Sequence, residues 1–373
     1  MVRQQRVSMK IFVTGLRGFP DVPGGVERHC EELYPRIAAK GHEVVAAVRA
    51  PYQTYDGERW RGVAFVSLDC PTSTRFEAIT HTFKAMLAAR RHKPDIVHIH
   101  AIGPSLLAPL GRFLGMRIVS THHGHDYNRE KWGGFAKRML KLGEWLGCKF
   151  SNRVIVISES IRNVLAEKHG CERTTVIPNG VTVRARVSTT DYLERLGVEP
   201  GGYVLAVSRL VPEKGLHDLI EAFEHAPEGM KLVIAGDSDH DSEYKRKLVE
   251  TAEQNERIIM PGYVRGNDLA ELYSHARLFV LPSYHEGLPI VALEAMSYGL
   301  PLLLSDIVPN KDVGLPERHY YPVGDADALA THMKRMLGEV HEEGAFEEMV
   351  RTKYDWDVIA GRTEQVYREV AGV

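Results

Sequence analysis

Two glutamates, Glu286 and Glu294, stand eight positions apart in the run Ser283-Tyr284-His285-Glu286-Gly287-Leu288-Pro289-Ile290-Val291-Ala292-Leu293-Glu294. Pro289 suits the first turn of a helix, where its missing N–H would go unpaired anyway. That helix stops at Gly299, with Pro301 behind it. Glu286 then lies in the loop before the helix, and Glu294 about a turn and a half inside it. One carboxylate is placed for a reacting group at the helix mouth, and the other for a pair of vicinal hydroxyls. Free N–H groups near Gly287 and Leu288 face a space of phosphate size. A buried Glu294 beside Ile290, Val291, Leu293 and Met296 needs a partner, whereas on a solvated face it needs none.

Upstream, Ser208-Arg209-Leu210-Val211-Pro212-Glu213-Lys214-Gly215 offers a planar guanidinium fork and an ammonium, both suited to a diphosphate. A helix opening at Leu216 adds its positive end. A solvated Arg/Lys loop would look the same in isolation, but these cations stand in an acidic half. Residues 1–180 hold 27 Lys+Arg against 16 Asp+Glu, a net +11, while 181–373 hold 20 against 33, a net −13. The basic half reads as a docking surface for something anionic, or as a solvated face whose sign has drifted.

Gly24 and Gly25 close a glycine-rich loop that begins at Gly15 and precedes a helix, so backbone N–H groups there can approach an anion; a tight turn would use the same glycines. The spacing fits neither the dinucleotide fingerprint nor a P-loop. In Thr121-His122-His123-Gly124-His125, a histidine at a strand's end is placed to donate to a sugar hydroxyl or to stabilise developing charge. Zinc is the competing use of His98, His100, His122, His123 and His125, but no cysteine or glutamate completes a ligand spacing in the sequence. Asp237-Ser238-Asp239 matches a metal-binding D-x-D signature, yet it reads as a turn leading to a helix cap.

Elements that position these loops recur through the chain. Apolar, β-branched runs predict strands at 10–14, 43–48, 63–68, 95–100, 117–121 and 153–157, then again at 203–208, 231–235, 257–260, 278–281 and 302–305. Helical periodicity falls between them at 26–39, 77–91, 216–224, 242–253, 290–298 and 326–337. The alternation predicts an α/β fold of two doubly wound Rossmann-like domains facing across a cleft, with ligands at the carboxyl ends of the strands. Pro178-Asn179-Gly180 and the polar stretch 184–191 serve as linker. The expected domains are 1–182, with a final helix 355–373 crossing back, and 183–354.

The 373 residues are 44% hydrophobic and 26% charged, a balance that excludes a disordered chain, a fibre and a coiled coil. No stretch is apolar enough to span a bilayer. The first ten residues are polar and basic with no apolar run behind them, and 1–8 reads as a leader with no visible secretory signal. Cys30, Cys70, Cys148 and Cys171 have no metal spacing, which fits a reduced cytoplasmic protein.

In this order, Gly24-Gly25-Val26-Glu27-Arg28, Ile177-Pro178-Asn179-Gly180-Val181, the R-x4-K of Arg209 and Lys214, and the E-x7-E of Glu286 and Glu294 resemble the retaining GT-B glycosyltransferases of group 1, family four. The likeness spans nearly the whole chain and includes the last segment, 354–370. It implies transfer of a sugar from a nucleotide-diphosphate sugar to a saccharide or lipid-linked acceptor, in cell-surface polysaccharide or glycolipid synthesis. Anomeric configuration is retained, with no metal and no cofactor beyond the donor. Arg209 and Lys214 would hold the diphosphate, Glu294 the ribose, and the main chain at Val264 the base. Glu286 and the backbone of Gly287, Leu288 and Pro289 would contact the transferred sugar. Gly24 and Gly25 join the donor-binding set, and His123 matches the active-site histidine, with His122 one residue away. Ser208 and Thr182 depart from residues common in the family. A non-hydrolysing nucleotide-sugar epimerase shares the architecture but would lack the two charged motifs; nucleic acid is not an expected partner.

Residues 131–150 interleave Lys131, Lys137, Arg138, Lys141 and Lys149 with Trp132, Phe135 and Trp145. Such a stretch suits the anionic inner face of a membrane; a core helix with a basic solvated side has the same composition. The run 125–133 is also similar to a subset of the family that includes rhamnosyltransferases.

Overall fold

A computed structural model describes residues 7–71, 77–125, 127, 133–238, 241–340, 344 and 346–373. Residues 1–6 of the expected leader at 1–8, residues 126 and 128–132 of the run 125–133 (Lys131 and Trp132 among them), and Asp239 lie outside this set. The chain forms two compact units, Met1–Gly180 with Trp356–Val373, and Val181–Asp355.

The first unit carries strands β1 (Lys10–Thr14), β2 (Glu43–Arg49), β3 (Arg59–Trp60), β4 (Val63–Leu68), β5 (Ile96–His100), β6 (Ile118–His122), β7 (Arg153–Val156) and β8 (Thr174–Val176). Their order in the sheet is β3-β4-β2-β1-β5-β6-β7-β8, all parallel except the β3–β4 pair. Ile11, Phe12 and Val13 of β1 are all fully buried, as a central strand covered on both faces requires. Helices α1 (Gly25–Ala39), α2 (Glu77–His92), α3 (Ala108–Phe113), α4 (Gly134–Phe150) and α5 (Glu159–His169) flank the sheet. The buried side of α1, Cys30, Leu33, Tyr34 and Ile37, follows helical spacing and shares a core with Trp356, Ile359 and Tyr367 of the chain's last helix, Trp356–Ala371. Gly180 sits where a Cβ would come within 2.5 Å of the Trp356 ring, so the closing turn of this unit admits glycine alone.

The second unit stacks β9 (Tyr203–Val207), β10 (Lys231–Ala235), β11 (Ile258–Gly262), β12 (Leu278–Leu281), β13 (Leu302–Ser305) and β14 (Tyr320–Tyr321) in the order β11-β10-β9-β12-β13-β14, all parallel. Around them lie α6 (Asp191–Leu196), α7 (Leu216–Phe223), α8 (Glu243–Glu253), α9 (Gly266–His275), α10 (Ile290–Ser297), α11 (Val308–Lys311) and α12 (Ala326–Gly338). Strand order reverses between β9 and β12, the topological switch point where such sheets bind ligands. The stretch read as linker is fastened to α9. Val187 N–H donates to Ser274 Oγ (3.0 Å), Thr189 Oγ1 to Glu271 (2.8 Å), and Arg186 to the Ser274 carbonyl.

Candidate active site

The two loops leaving β9 and β12 meet at the switch point of the second unit. Lys214 Nζ donates to Glu286 Oε1 at 2.5 Å, and Ser283 Oγ to the same oxygen at 2.7 Å. Both charged side chains are largely buried, 14% and 10% exposed, so the pair is held away from bulk water. Tyr284 N–H donates to the Glu213 carbonyl at 2.9 Å and joins the loops by their backbones. Gly215 (φ 62°) makes this approach possible: a Cβ there would lie 2.1 Å from the Pro282 carbonyl oxygen.

Arg209 lies on the same loop, half exposed, with Nη2 3.1 Å from Glu213 Oε1. Glu294 stands inside α10 and accepts from the buried Tyr273 hydroxyl at 3.2 Å; Tyr273 stacks on Tyr298 with ring centroids 5.3 Å apart. The partner that Glu294 needs is therefore a tyrosine on α9. The helix α10 begins at Ile290, as the periodicity predicts; Pro289, with an extended ψ of 94°, caps it rather than forming part of its first turn. Leu288 and Pro289 are buried, Gly287 half-buried, and Val264 follows β11 at the same carboxyl edge beside the exposed Tyr263. The structure thus joins Lys214 to Glu286 directly and ties the loop of Arg209 to that of Glu286 through Glu213, while Glu294 stands on α10 and Val264 in the loop that leaves β11. Ser283, Glu213 and Tyr273 complete the arrangement. Sequence reasoning quoted the first two without a role and missed the third, which carries no local signal.

Asp237 pairs with Lys245 at 2.5 Å and accepts from its neighbour's N–H at 2.7 Å, while Ser242 caps α8 through Lys245 N–H at 3.1 Å. The Lys245 hydrogen bond, then the Ser238 N–H, hold the Asp237 carboxyl below its usual range.

In the first unit, loops leaving β1, β5 and β6 converge. Gly15 packs so tightly on the end of β5 that a Cβ would lie 2.2 Å from the His100 carbonyl oxygen. Gly24 (φ 147°) caps α1 against the Glu27 carboxylate, which accepts from Arg17 N at 3.1 Å and Nε at 3.2 Å; Gly25 faces open space. His123 Nε2 lies 2.9 Å from His100 Nδ1, with the rings stacked, and its edge meets His29. Burial, then the neighbouring His29, His98 and His122, push the His123 imidazole far down, so it is neutral at physiological pH.

His122 points the other way. Its Nε2 donates to Glu144 Oε2 at 3.0 Å, His169 Nε2 reaches Glu144 Oε1 at 2.8 Å, and His125 Nε2 stands 3.8 Å from Oε2. A glutamate therefore does complete a His122–His125–Glu144 group with metal-ligand proximity, contrary to the sequence reading, because α4 returns Glu144 from 22 residues away to the end of β6. Gly124 N–H donates to His122 Nδ1 at 3.2 Å, which keeps the ring's proton on Nε2 and favours the hydrogen bond to Glu144 over ligation there. Burial raises the Glu144 carboxyl, but hydrogen bonds from His122 and His169 outweigh it and bring it down to about 2.

Comparison with known proteins decides the family. The family model "Glycosyl transferases group 1" matches residues 192–350, and "Glycosyltransferase Family 4" matches 23–184, so the two account for most of both units. The chain belongs to the group 1 glycosyltransferases. Among relatives, it is 28% identical to the glycogen synthase of Mycobacterium tuberculosis over 96% of this chain and 94% of that one. It is also 28% identical to the GDP-mannose:cellobiosyl-diphosphopolyprenol alpha-mannosyltransferase of Xanthomonas oryzae pv. oryzae, over 75% of each chain. In fold it is similar to sucrose-phosphate synthase from Thermosynechococcus elongatus, with a TM-score of 0.85, 22% identity, and 98% and 99% of the two chains covered. This group 1 transferase thus has the two Rossmann-like sheets of the GT-B class, and glycosyl transfer from a nucleotide sugar is its activity.

Proposed function

We propose that the enzyme transfers a sugar, with retention of anomeric configuration and without a metal, from a nucleotide-diphosphate sugar to a saccharide or lipid-linked acceptor in cell-surface polysaccharide or glycolipid synthesis. The observation that carries this reading is the Lys214–Glu286 pair at the switch point, with Arg209 one turn of loop away and Glu294 inside the helix that follows. Lys214 and Arg209 hold the diphosphate, Glu294 takes the ribose, the Val264 main chain meets the base, and Glu286 with the Gly287–Pro289 backbone contacts the transferred sugar. Negative charge grows on the departing diphosphate as the sugar becomes oxocarbenium-like. Cations already fixed at that position accelerate the step because they interact most strongly with the transition state. The departing phosphate oxygen takes the acceptor's proton on the same face, so the protein need supply no general base. His123, neutral and at a strand's end, offers a hydrogen bond to the sugar.

Product stereochemistry tests the reading. With an α-linked donor in EDTA, NMR of the product should show an α linkage and undiminished turnover; a β linkage, or dependence on a divalent metal, would contradict it.

The acceptor side is proposed to lie at an anionic membrane. No described helix is long and apolar enough to cross one. On α4, Phe135 is 76% exposed and Trp145 39%, with Lys149 Nζ 4.9 Å from the Trp145 ring, while Gly143, Glu144, Gly147 and Cys148 form the buried side. Aromatic and cationic side chains displayed on one helix favour the headgroup region of an anionic bilayer. Co-sedimentation with phosphatidylglycerol vesicles should therefore be strong at low salt and fall severalfold with Phe135→Ser and Trp145→Ser together. Equal recovery in the supernatant with and without vesicles would remove the idea.

A further inference from the structure

A chain of buried hydrogen-bonding groups inside the first unit ends at His123. Thr121 Oγ1 lies 2.7 Å from His98 Nε2, and His98 Nδ1 lies 2.6 Å from the Tyr367 hydroxyl and 2.9 Å from that of Tyr34. Tyr367 and Tyr34 are hydrogen-bonded to each other, Tyr34 also to His100 Nε2, and His100 Nδ1 to His123 Nε2 at 2.9 Å. Thr121, His98, His100, Tyr34 and Tyr367 are all within 2% of full burial. They come from β6, β5, α1 and the last helix, elements that share one core.

The direction of this chain can be worked out from its start. Among the described residues, the Thr121 hydroxyl has one hydrogen-bond partner, His98 Nε2. A buried O–H without an acceptor is strongly unfavourable, so Thr121 donates and His98 Nε2 accepts. A neutral imidazole carries one N–H, which places the His98 proton on Nδ1, donating to the tyrosine hydroxyls. Burial holds His98 near pKa 3 and pushes His100 well down, so neither ring carries a second proton. Tyr367 then donates to Tyr34, Tyr34 to His100 Nε2, and His100 Nδ1–H to His123 Nε2. The His98 N–H is shared between the two tyrosine oxygens, each hydroxyl donates once, and the remaining proton of His123 is on Nδ1. Reversal would leave the Thr121 proton without an acceptor.

We infer that Thr121, His98, Tyr367, Tyr34 and His100 form a one-way relay that fixes His123 as an Nδ1–H donor. His100 and Tyr34 are thus positioning residues for the hydrogen bond that His123 makes to the transferred sugar. The relay rests on the transferase reading only for what the donor is aimed at; the tautomer itself follows from the buried network.

The tautomer of His123 is read by ¹⁵N NMR of the full-length, histidine-labelled protein, assigned with His123→Ala. In the wild type, Nδ1 should be protonated and Nε2 bare. Tyr34→Phe removes the donor to His100 Nε2 and with it the constraint on the His100 tautomer, so the His123 signal should change from Nδ1–H alone to a mixture of Nδ1–H and Nε2–H. Turnover should then fall by about two- to fivefold, in step with the fraction of His123 still protonated on Nδ1, while nucleoside-diphosphate affinity is unchanged. Thr121→Ser keeps a hydroxyl and should preserve the wild-type signal, whereas Thr121→Val should mix the two tautomers. Wild-type His123 protonated on Nε2, or a signal indifferent to Tyr34→Phe in a folded variant, would overturn the relay. If the signals obey but His123→Ala transfers sugar at the wild-type rate, the relay stands and the sugar contact assigned to His123 fails.

Discussion

Glu286→Gln should cut turnover by about 100- to 1000-fold while leaving nucleoside-diphosphate affinity within a fewfold of wild type. Glutamine keeps the length of the side chain and an oxygen for the Ser283 hydroxyl, which lies 2.7 Å from Glu286 Oε1, so the loop has no steric reason to move. What disappears is the negative charge at the site proposed for the sugar. Lys214, now bonded to Glu286 at 2.5 Å, would turn its whole charge toward the diphosphate, and nucleotide binding has no reason to weaken. Single-turnover rates alongside calorimetric titration separate the two quantities. Loss of nucleotide affinity with unchanged turnover would place Glu286 in the wrong role.

Lys214→Met is expected to be as damaging by a different route. It removes the ammonium from the developing diphosphate charge, and kcat/KM should fall by about 100-fold or more. It also strands Glu286, only 10% exposed, without its cation, and one-sided disruption of a buried pair destabilises by about 3–5 kcal/mol. The lower end applies here, because Ser283 still satisfies one carboxylate oxygen. Combining Lys214→Met with Glu286→Gln should therefore restore most of the melting temperature but none of the activity. That non-additivity distinguishes a stability defect from a lost role in transfer. Recovery of activity in the double variant would show that Lys214 serves only to neutralise Glu286.

How much of this was legible in the sequence follows from what sets each feature. Central strands such as Lys10–Thr14 and Leu278–Leu281 are dictated by continuous apolar runs, and their bounds can be read almost residue for residue. Short edge strands, Arg59–Trp60 and Tyr320–Tyr321, have too few residues for any periodicity to mark them. The charged motifs identify which loops matter, but not which side chains touch. Lys214 and Glu286 are 72 positions apart, and only the adjacency of β9 and β12 makes them a pair. Glu144 reads as one acid in a basic helix, and its three histidines appear only once α4 is laid beside β6. Tyr34 and Tyr367 carry no local signal that singles them out; that their hydroxyls link His98 to His100 depends on side-chain placement that no spacing rule encodes.

The central claim is that the switch point of the second unit grips the diphosphate of the sugar donor. Calorimetric titration of UDP, GDP, ADP and dTDP, against the wild-type chain and against Arg209→Ala combined with Lys214→Met, tests it most directly. One diphosphate should bind the wild type at least tenfold more tightly than its monophosphate, and that advantage should vanish in the double variant. Binding of equal strength in both proteins, or no preference for the diphosphate in the wild type, would contradict the account.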